Sequence, residues 1–136
     1  MREIKFRGKR TDNGEWIYGY LIKRFGIWKI YQDEKTTNFA EWIHAVIPET
    51  VGQYTGLKDK NGVEIYEGDI VKSILLPTEW IVRDWVVSFN EFRMCFAVTD
   101  LNSHEKTYLH ELVTPSYAIE VIGNIHGNPE LLGGAE

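Results

Sequence analysis

Residues 48–71, PETVGQYTGLKDKNGVEIYEGDIV, constrain the fold more tightly than any other stretch of the chain. Asp59-Lys60-Asn61-Gly62 concentrates tight-turn chemistry. An Asp side chain can accept from the backbone two residues on, Asn tolerates the left-handed region, and Gly enters it without steric cost. Four such residues close a β-hairpin through a type I turn and a bulge. Val63, Ile65, Ile70 and Val71 then place β-branched residues around a second break at Glu67-Gly68-Asp69. The alternation over residues 63–66 predicts a short, half-exposed strand. The acids Asp59, Glu64, Glu67 and Asp69 read as turn formers and solvated strand positions. No His or Cys is interleaved at ligand spacing, and a calcium loop needs more regularly placed acids.

The same reading extends to both sides. Asp12-Asn13-Gly14 predicts a hairpin between a first strand over residues 4–6 and a longer one over 16–22. In the first strand, period-two alternation turns Ile4 and Phe6 inward and Lys5, Arg7 and Lys9 outward. In the second, Trp16, Tyr18, Tyr20 and Ile22 share one face and Ile17, Gly19 and Leu21 the other, which predicts a strand covered on both sides. Phe25-Gly26 turns into a strand over 27–31, residues 32–38 read as an exposed loop, and residues 42–47 return to an apolar pattern ending at Pro48. The first third is thus a small antiparallel sheet. Downstream, residues 69–76 form a strand stopped by Pro77. Trp85, Val87 and Phe89 alternate, as do Phe92, Met94, Phe96 and Val98. A two-residue turn at Asn90-Glu91 would pair Phe89 with Phe92, Val87 with Met94 and Trp85 with Phe96. Strands over 107–113 and 118–125 complete the pattern. Asn128-Pro129-Glu130-Leu131-Leu132 predicts a short helix capped by Asn128 and ended by Gly133-Gly134. No other helix is expected.

Composition narrows the class. A chain of 136 residues with 43% hydrophobic content, five Trp, seven Tyr and six Phe can fill one core or two very small ones. No apolar run approaches a membrane span, and no signal-like apolar region follows the charged first residues. Cys95 stands alone, so no internal disulfide or cysteine metal cluster is available. Together these predict a cytoplasmic protein without membrane contact. The net charge of −5 speaks against broad nucleic-acid affinity. Residues 1–10 nonetheless hold Arg2, Lys5, Arg7, Lys9 and Arg10 against the single acid Glu3, a local charge of +4 that leaves −9 for the remainder. Such a basic arm could touch phosphate or dock on an acidic neighbour, or it could be the solvated face of a first strand.

Catalytic chemistry finds no foothold. His44, His104, His110 and His126 include two His-Glu pairs, but neither has the helical spacing of zinc hydrolases. Cys95 alternates with Met94 and Phe96 on a strand, where no helix N-terminus lowers its pKa. Gly52, Gly56 and Gly62 lie among turns without the Lys-Ser/Thr of a phosphate loop. The expectation is a non-enzyme with no cofactor and no metal.

Ile4-Lys5-Phe6-Arg7-Gly8-Lys9, Gly14, Trp16, Tyr18, Gly19, nearly all of residues 48–71, Val121-Ile122-Gly123-Asn124-Ile125 and Asn128-Pro129-Glu130-Leu131-Leu132 together resemble the YopX family of phage and prophage proteins, in the same order along the whole chain. Residues 72–116 depart from it. The resemblance implies a mainly β protein with a small N-terminal sheet over residues 1–50 and an SH3-like barrel over 51–136, either as separate units or sharing one core. It implies no catalytic residues. Two functional readings follow. One is a protein-interaction module in the bacterial host cytoplasm, binding a phage or host protein or self-associating, with Trp and Tyr as contact anchors. The other is nucleic-acid binding through the basic arm, with Trp28 or Trp80 as stacking platforms, which the acidic net charge disfavours. The residues singled out are Arg2, Lys5, Arg7, Lys9 and Arg10 for contact, and Asn13, Gly14, Asp59, Asn61, Gly62 and Gly68 as structural turns.

Overall fold

A computed structural model describes residues 3–32 and 42–132. The chain divides into two compact units, residues 1–54 and 55–136.

In the first unit, strands β1 (Phe6–Lys9), β2 (Trp16–Arg24), β3 (Ile27–Tyr31) and β4 (Ile43–Ala45) form an antiparallel sheet in the order β4-β3-β2-β1. The first residues of β5 (Gly52–Lys58) pair with the other side of β1, Phe6 opposite Gln53 and Arg7 opposite Gly52. The β1–β2 turn forms as its residues dictate. Gly14 takes φ 71°, its N–H donates to the Arg10 carbonyl, and the Asn13 side chain accepts the Glu15 amide. Phe25 and Gly26 both take positive φ (52° and 78°), the geometry of a two-residue hairpin, and bring Arg24 opposite Ile27. The chain beyond β4 returns to the end of β1: Arg10 bridges Val46, and the Ile47 N–H donates to the Lys9 carbonyl. Ile17, Ile30 and Val46 make the core of this curl, with Leu21, Trp28 and Val51 against it. Gly8 lines it because a Cβ there would sit 3.1 Å from Val46 Cβ.

Two expectations for this sheet are overturned. The register keeps Phe6 on the core face opposite Gly19, and Arg7 and Lys9 on the other face opposite Tyr18 and Trp16, but Ile4 lies outside β1 and is exposed, and the outward Arg7 is only 6% exposed rather than solvated. Arg7 is buried on that face because its guanidinium lies over the Trp16 ring. Second, β2 is not covered on both faces. Ile17 and Gly19 are buried and Leu21 half-buried, but Tyr18, Tyr20 and Ile22 are exposed. The loop expected over 32–38 falls outside the described residues apart from Gln32.

In the second unit β5 continues into a hairpin with β6 (Glu64–Tyr66). Strands β7 (Asp69–Leu75), β8 (Val82–Asn90), β9 (Cys95–Asp100), β10 (Lys106–Tyr108) and β11 (Tyr117–Asn124) form a five-stranded antiparallel sheet in the order β10-β9-β8-β7-β11. It is open, with β10 and β11 at its edges, and does not close into the barrel that the resemblance implied. Its core is Ile65, Val71, Trp85, Val87, Val98, Leu109, Leu112 and Ile119. Asp59 supplies the pinning contacts of the central turn. Its Oδ1 accepts the Asn61 and Val63 amides at 2.8 and 2.9 Å, and Gly62 takes φ 81°. Gly68 takes φ 90°, while buried Asp69 accepts the Tyr66 amide at 2.7 Å.

Three further expectations differ here. The β8–β9 pairing sets Phe89 opposite Phe96 and Val87 opposite Val98, a shift of four residues from the predicted register. The even shift keeps Phe96 and Val98 on their expected face, while Phe92 and Met94 leave the strand and are exposed. A two-residue type I′ turn needs positive φ at both positions, which Asn-Glu supplies poorly. The loop instead spans residues 91–94, with Asn90 Oδ1 accepting the Phe92 and Arg93 amides and Met94 at φ 52°. The strand expected over 107–113 ends at Tyr108 and passes into a single helical turn, α1 (Leu109–Leu112), which buries Leu109 and Leu112 together. Finally, Asn128 does not cap the 3₁₀ turn Pro129–Leu131. Its Oδ1 accepts the Asn124 amide at 3.2 Å instead.

Candidate functional site

The basic residues near the N-terminus do not form an exposed arm. Arg2 lies outside the described residues. The other four belong to or flank an internal strand, and each has an aromatic or carboxylate neighbour. Lys5 pairs with Glu3 at 3.0 Å and lies over the Tyr54 ring at 5.4 Å. Arg7 and Lys9 both lie over Trp16, at 4.7 and 5.5 Å. Arg10 grips Asp12 through two hydrogen bonds of 2.9 and 2.6 Å, which hold the Asp12 carboxyl below its usual range. A guanidinium buried against an indole is a packing element and is poorly placed to meet a phosphate.

What the first unit exposes is the outer face of the β2–β3 hairpin. Directly opposed residues of antiparallel strands share a face, so Tyr20 and Tyr31, Ile22 and Lys29, and Arg24 and Ile27 form its rungs. Tyr18, Tyr20, Ile22 and Ile27 are 43, 54, 39 and 49% exposed. The rings form a ladder, with Tyr20 6.4 Å from Tyr31 and Tyr31 5.8 Å edge-on to Trp42. Four large apolar side chains on one regular sheet face make a contiguous patch, unlike single exposed rings at loop tips. Beside it lies a groove of about 460 Å³, lined by Glu3, Ile4, Lys5, Tyr18, Tyr20 and Gln32. Residues 16–32 carry Lys23, Arg24 and Lys29 and no acid. Sequence reasoning missed this face by taking all apolar positions of β2 as covered. The available signal was the split between aliphatic Ile17 and Leu21 on one face and amphipathic tyrosines on the other.

The second unit holds a polar cluster on β8, β9 and the loop after β9. Arg83 donates from Nε to Asp100 Oδ2 at 2.6 Å and from Nη2 to Glu105, and it lies over Trp85 at 4.3 Å. Burial pushes the Asp100 carboxyl up, but the Ser103 amide, Arg83 and the Asn102 amide outweigh it and hold the group below its usual value. Trp85 Nε1 in turn donates to buried Ser73 at 2.8 Å. With Arg83 held by two carboxylates, the cluster works as a clasp.

The remaining candidates are dispersed. Trp28 is half-buried against the first core with Lys23 above it at 5.1 Å. Trp80 is exposed in the loop between β7 and β8, in the other unit. Cys95 is a free, half-buried thiol, and His110 stacks on Tyr108 at 5.8 Å. Among the described residues, no group of three or more His, Cys, Asp or Glu side chains is arranged to hold a metal, and no helix is long and apolar enough to cross a membrane. Asn13, Gly14, Asp59, Asn61, Gly62 and Gly68 all sit in turns, where their role is conformational.

Fold and face together define a small, mainly β protein of two open antiparallel sheets that exposes an apolar, basic sheet face. The chain belongs to the YopX family, whose model, described as YopX protein, matches residues 5–133. Among solved structures it is similar to the protein EF1440 from Enterococcus faecalis, at 26% identity over 97% of this chain and 99% of that one, with a TM-score of 0.57. No curated protein matches it.

Proposed function

We propose that the protein is a non-catalytic protein-interaction module that docks a phage or host protein on the outer face of the β2–β3 hairpin, in the cytoplasm of a bacterial host. The supporting observation is the exposure of Tyr18, Tyr20, Ile22 and Ile27 on one regular sheet face. Aromatic side chains fixed on a strand cost little entropy to immobilise and anchor protein contacts well. The resemblance to phage and prophage proteins supports the mobile-element origin and, with it, the compartment. A distant SH3-like kinship of the second unit, with its meander β7–β8–β9–β10 left open, belongs to the same proposal.

Nucleic-acid binding is the weaker reading because Arg7, Lys9 and Arg10 are engaged with Trp16 and Asp12. The test is an affinity pull-down from host lysate after nuclease treatment, with the wild-type protein and with Ile22→Glu. A protein retained by the wild type and lost by the variant supports the reading. Partners that vanish with nuclease, or that ignore the substitution, refute it.

A further inference from the structure

The backbone of β2 changes its surroundings halfway along. From Trp16 to Gly19 it pairs with β1, Lys9 opposite Trp16 and Phe6 opposite Gly19. β1 starts at Phe6, so among the described residues β2 runs on from Tyr20 to Arg24 with β3 on one side alone. The two-residue turn at Phe25-Gly26 makes Arg24 and Ile27 a hydrogen-bonded pair, and the alternation then assigns Ile22 and Tyr20 to β3 as well. The N–H and C=O groups of Leu21 and Lys23 consequently point the other way. Continued register would place Ile4 opposite Leu21, but Ile4 lies outside β1 and is exposed. Among the described residues, no strand faces Leu21 and Lys23 on that side.

An open strand edge of five residues is about 17 Å long, enough for an extended segment to add to the sheet. The β11 edge of the second unit shows how such an edge is blocked. On β11 the Ile119 carbonyl accepts the Lys60 N–H and the Val121 N–H is taken by Asp59, so the central turn covers it. No equivalent cover lies over Tyr20–Arg24 among the described residues.

The local charge selects the occupant. Lys23, Arg24 and Lys29 lie on the hairpin with no acid between residues 16 and 32, and in the adjoining groove Lys5 is paired with Glu3 and adds no net charge. The geometry points to an extended acidic peptide segment of a partner protein, added antiparallel or parallel to the Tyr20–Arg24 edge by hydrogen bonds to Leu21 and Lys23, with its side chains meeting Tyr20 and Ile22 on the outer face. This inference rests on the interaction reading above and names the partner's chemistry. A single-stranded nucleic acid would need ring faces free for stacking, whereas Tyr20, Tyr31 and Trp42 pack on one another and the Lys23 and Arg24 cations lie over Trp28 and Phe25.

The test is selection of a displayed library of random ten-residue peptides on the full-length protein, followed by sequencing and affinity measurement of the retained peptides. The expected pool is rich in Asp and Glu alternating with β-branched or aromatic residues. Lys23→Pro removes the outward N–H at an edge position, where proline is tolerated, and should weaken binding at least about tenfold. Lys23→Ala keeps that N–H and should stay within about threefold. Lys23→Glu with Arg24→Glu should turn the preference toward basic peptides even if the proline variant fails to fold. An empty or acid-poor pool overturns the inference, and so does equal binding by Lys23→Pro and Lys23→Ala when both are folded. Binding of an oligo-dT strand to this edge, or dimerisation of the protein through it, overturns it equally. If the lysate partner is lost with Ile22→Glu but retained by a folded Lys23→Pro, strand addition fails while the interaction reading stands.

Discussion

Asp59 and Val121 stand 62 residues apart and are joined directly, the Val121 amide donating to Asp59 Oδ2 at 2.9 Å. The same carboxylate holds the Asn61 and Val63 amides through its other oxygen. One side chain therefore shapes the central turn and fastens that turn to the last strand of the second unit. Asp59→Ala leaves three amides to find other partners and should cost about 3 kcal/mol. Asp59→Asn should cost less, because Oδ1 can stay while its amide nitrogen meets the Val121 N–H as donor against donor. Urea unfolding of the three proteins measures both; equal stability of Asp59→Ala and wild type would show the clasp to be idle.

Gly19 faces an obstruction that Gly62 does not. A Cβ on Gly19 would lie 2.1 Å from the Tyr31 carbonyl oxygen, whereas one on Gly62 would meet nothing within 4 Å. Gly19→Ala must move backbone and should cost about 3 kcal/mol. Gly62→Ala costs only the left-handed conformation at φ 81°, about 1–2 kcal/mol. Thermal melts should rank the two in that order.

The β8–β9 register can be tested from its loop. Phe92 is 99% exposed, while Phe89 and Phe96 meet edge-to-face at 5.2 Å. Phe92→Ser should change stability by no more than about 0.5 kcal/mol, and Phe96→Ala should cost about 2–3 kcal/mol. A large effect at Phe92 would restore the shorter turn.

The Arg83–Asp100 clasp predicts an acid sensitivity with a definite sign. The Asp100 carboxyl titrates below its ordinary value of 3.8 when folded. Its contribution is therefore fully present above the unfolded pKa and is lost as pH falls through the folded one. Wild type should lose stability relative to Asp100→Asn as pH drops from about 5 toward 2. Parallel stability curves for the two proteins would remove Asp100 from the acid response.

The sequence disclosed what depends on nearest neighbours. Asn13-Gly14, Phe25-Gly26 and Asp59 to Gly62 are turns because their own side chains and allowed φ values make them so. It concealed what depends on partners far along the chain. Arg7 is buried because Trp16 lies beside it across a hairpin, and alternation alone assigns a cation to solvent. The acceptance of the Val121 amide by Asp59 has no local trace at all. The β8–β9 register slipped because repeated aromatic alternation fits several registers equally, leaving the loop to decide. The exposed face of β2 was hidden by counting Tyr as covered apolar surface, when its hydroxyl lets it stand half in water.

The measurement that bears most directly on the interaction reading is photo-crosslinking in the host cell from a benzoylphenylalanine placed at Tyr20, with the same group at exposed Phe92 as the control. A discrete protein adduct at position 20 and none at position 92 is the expected result. No adduct at position 20, or adducts only to nucleic acid, would contradict the assignment of the β2–β3 face as a protein-docking surface.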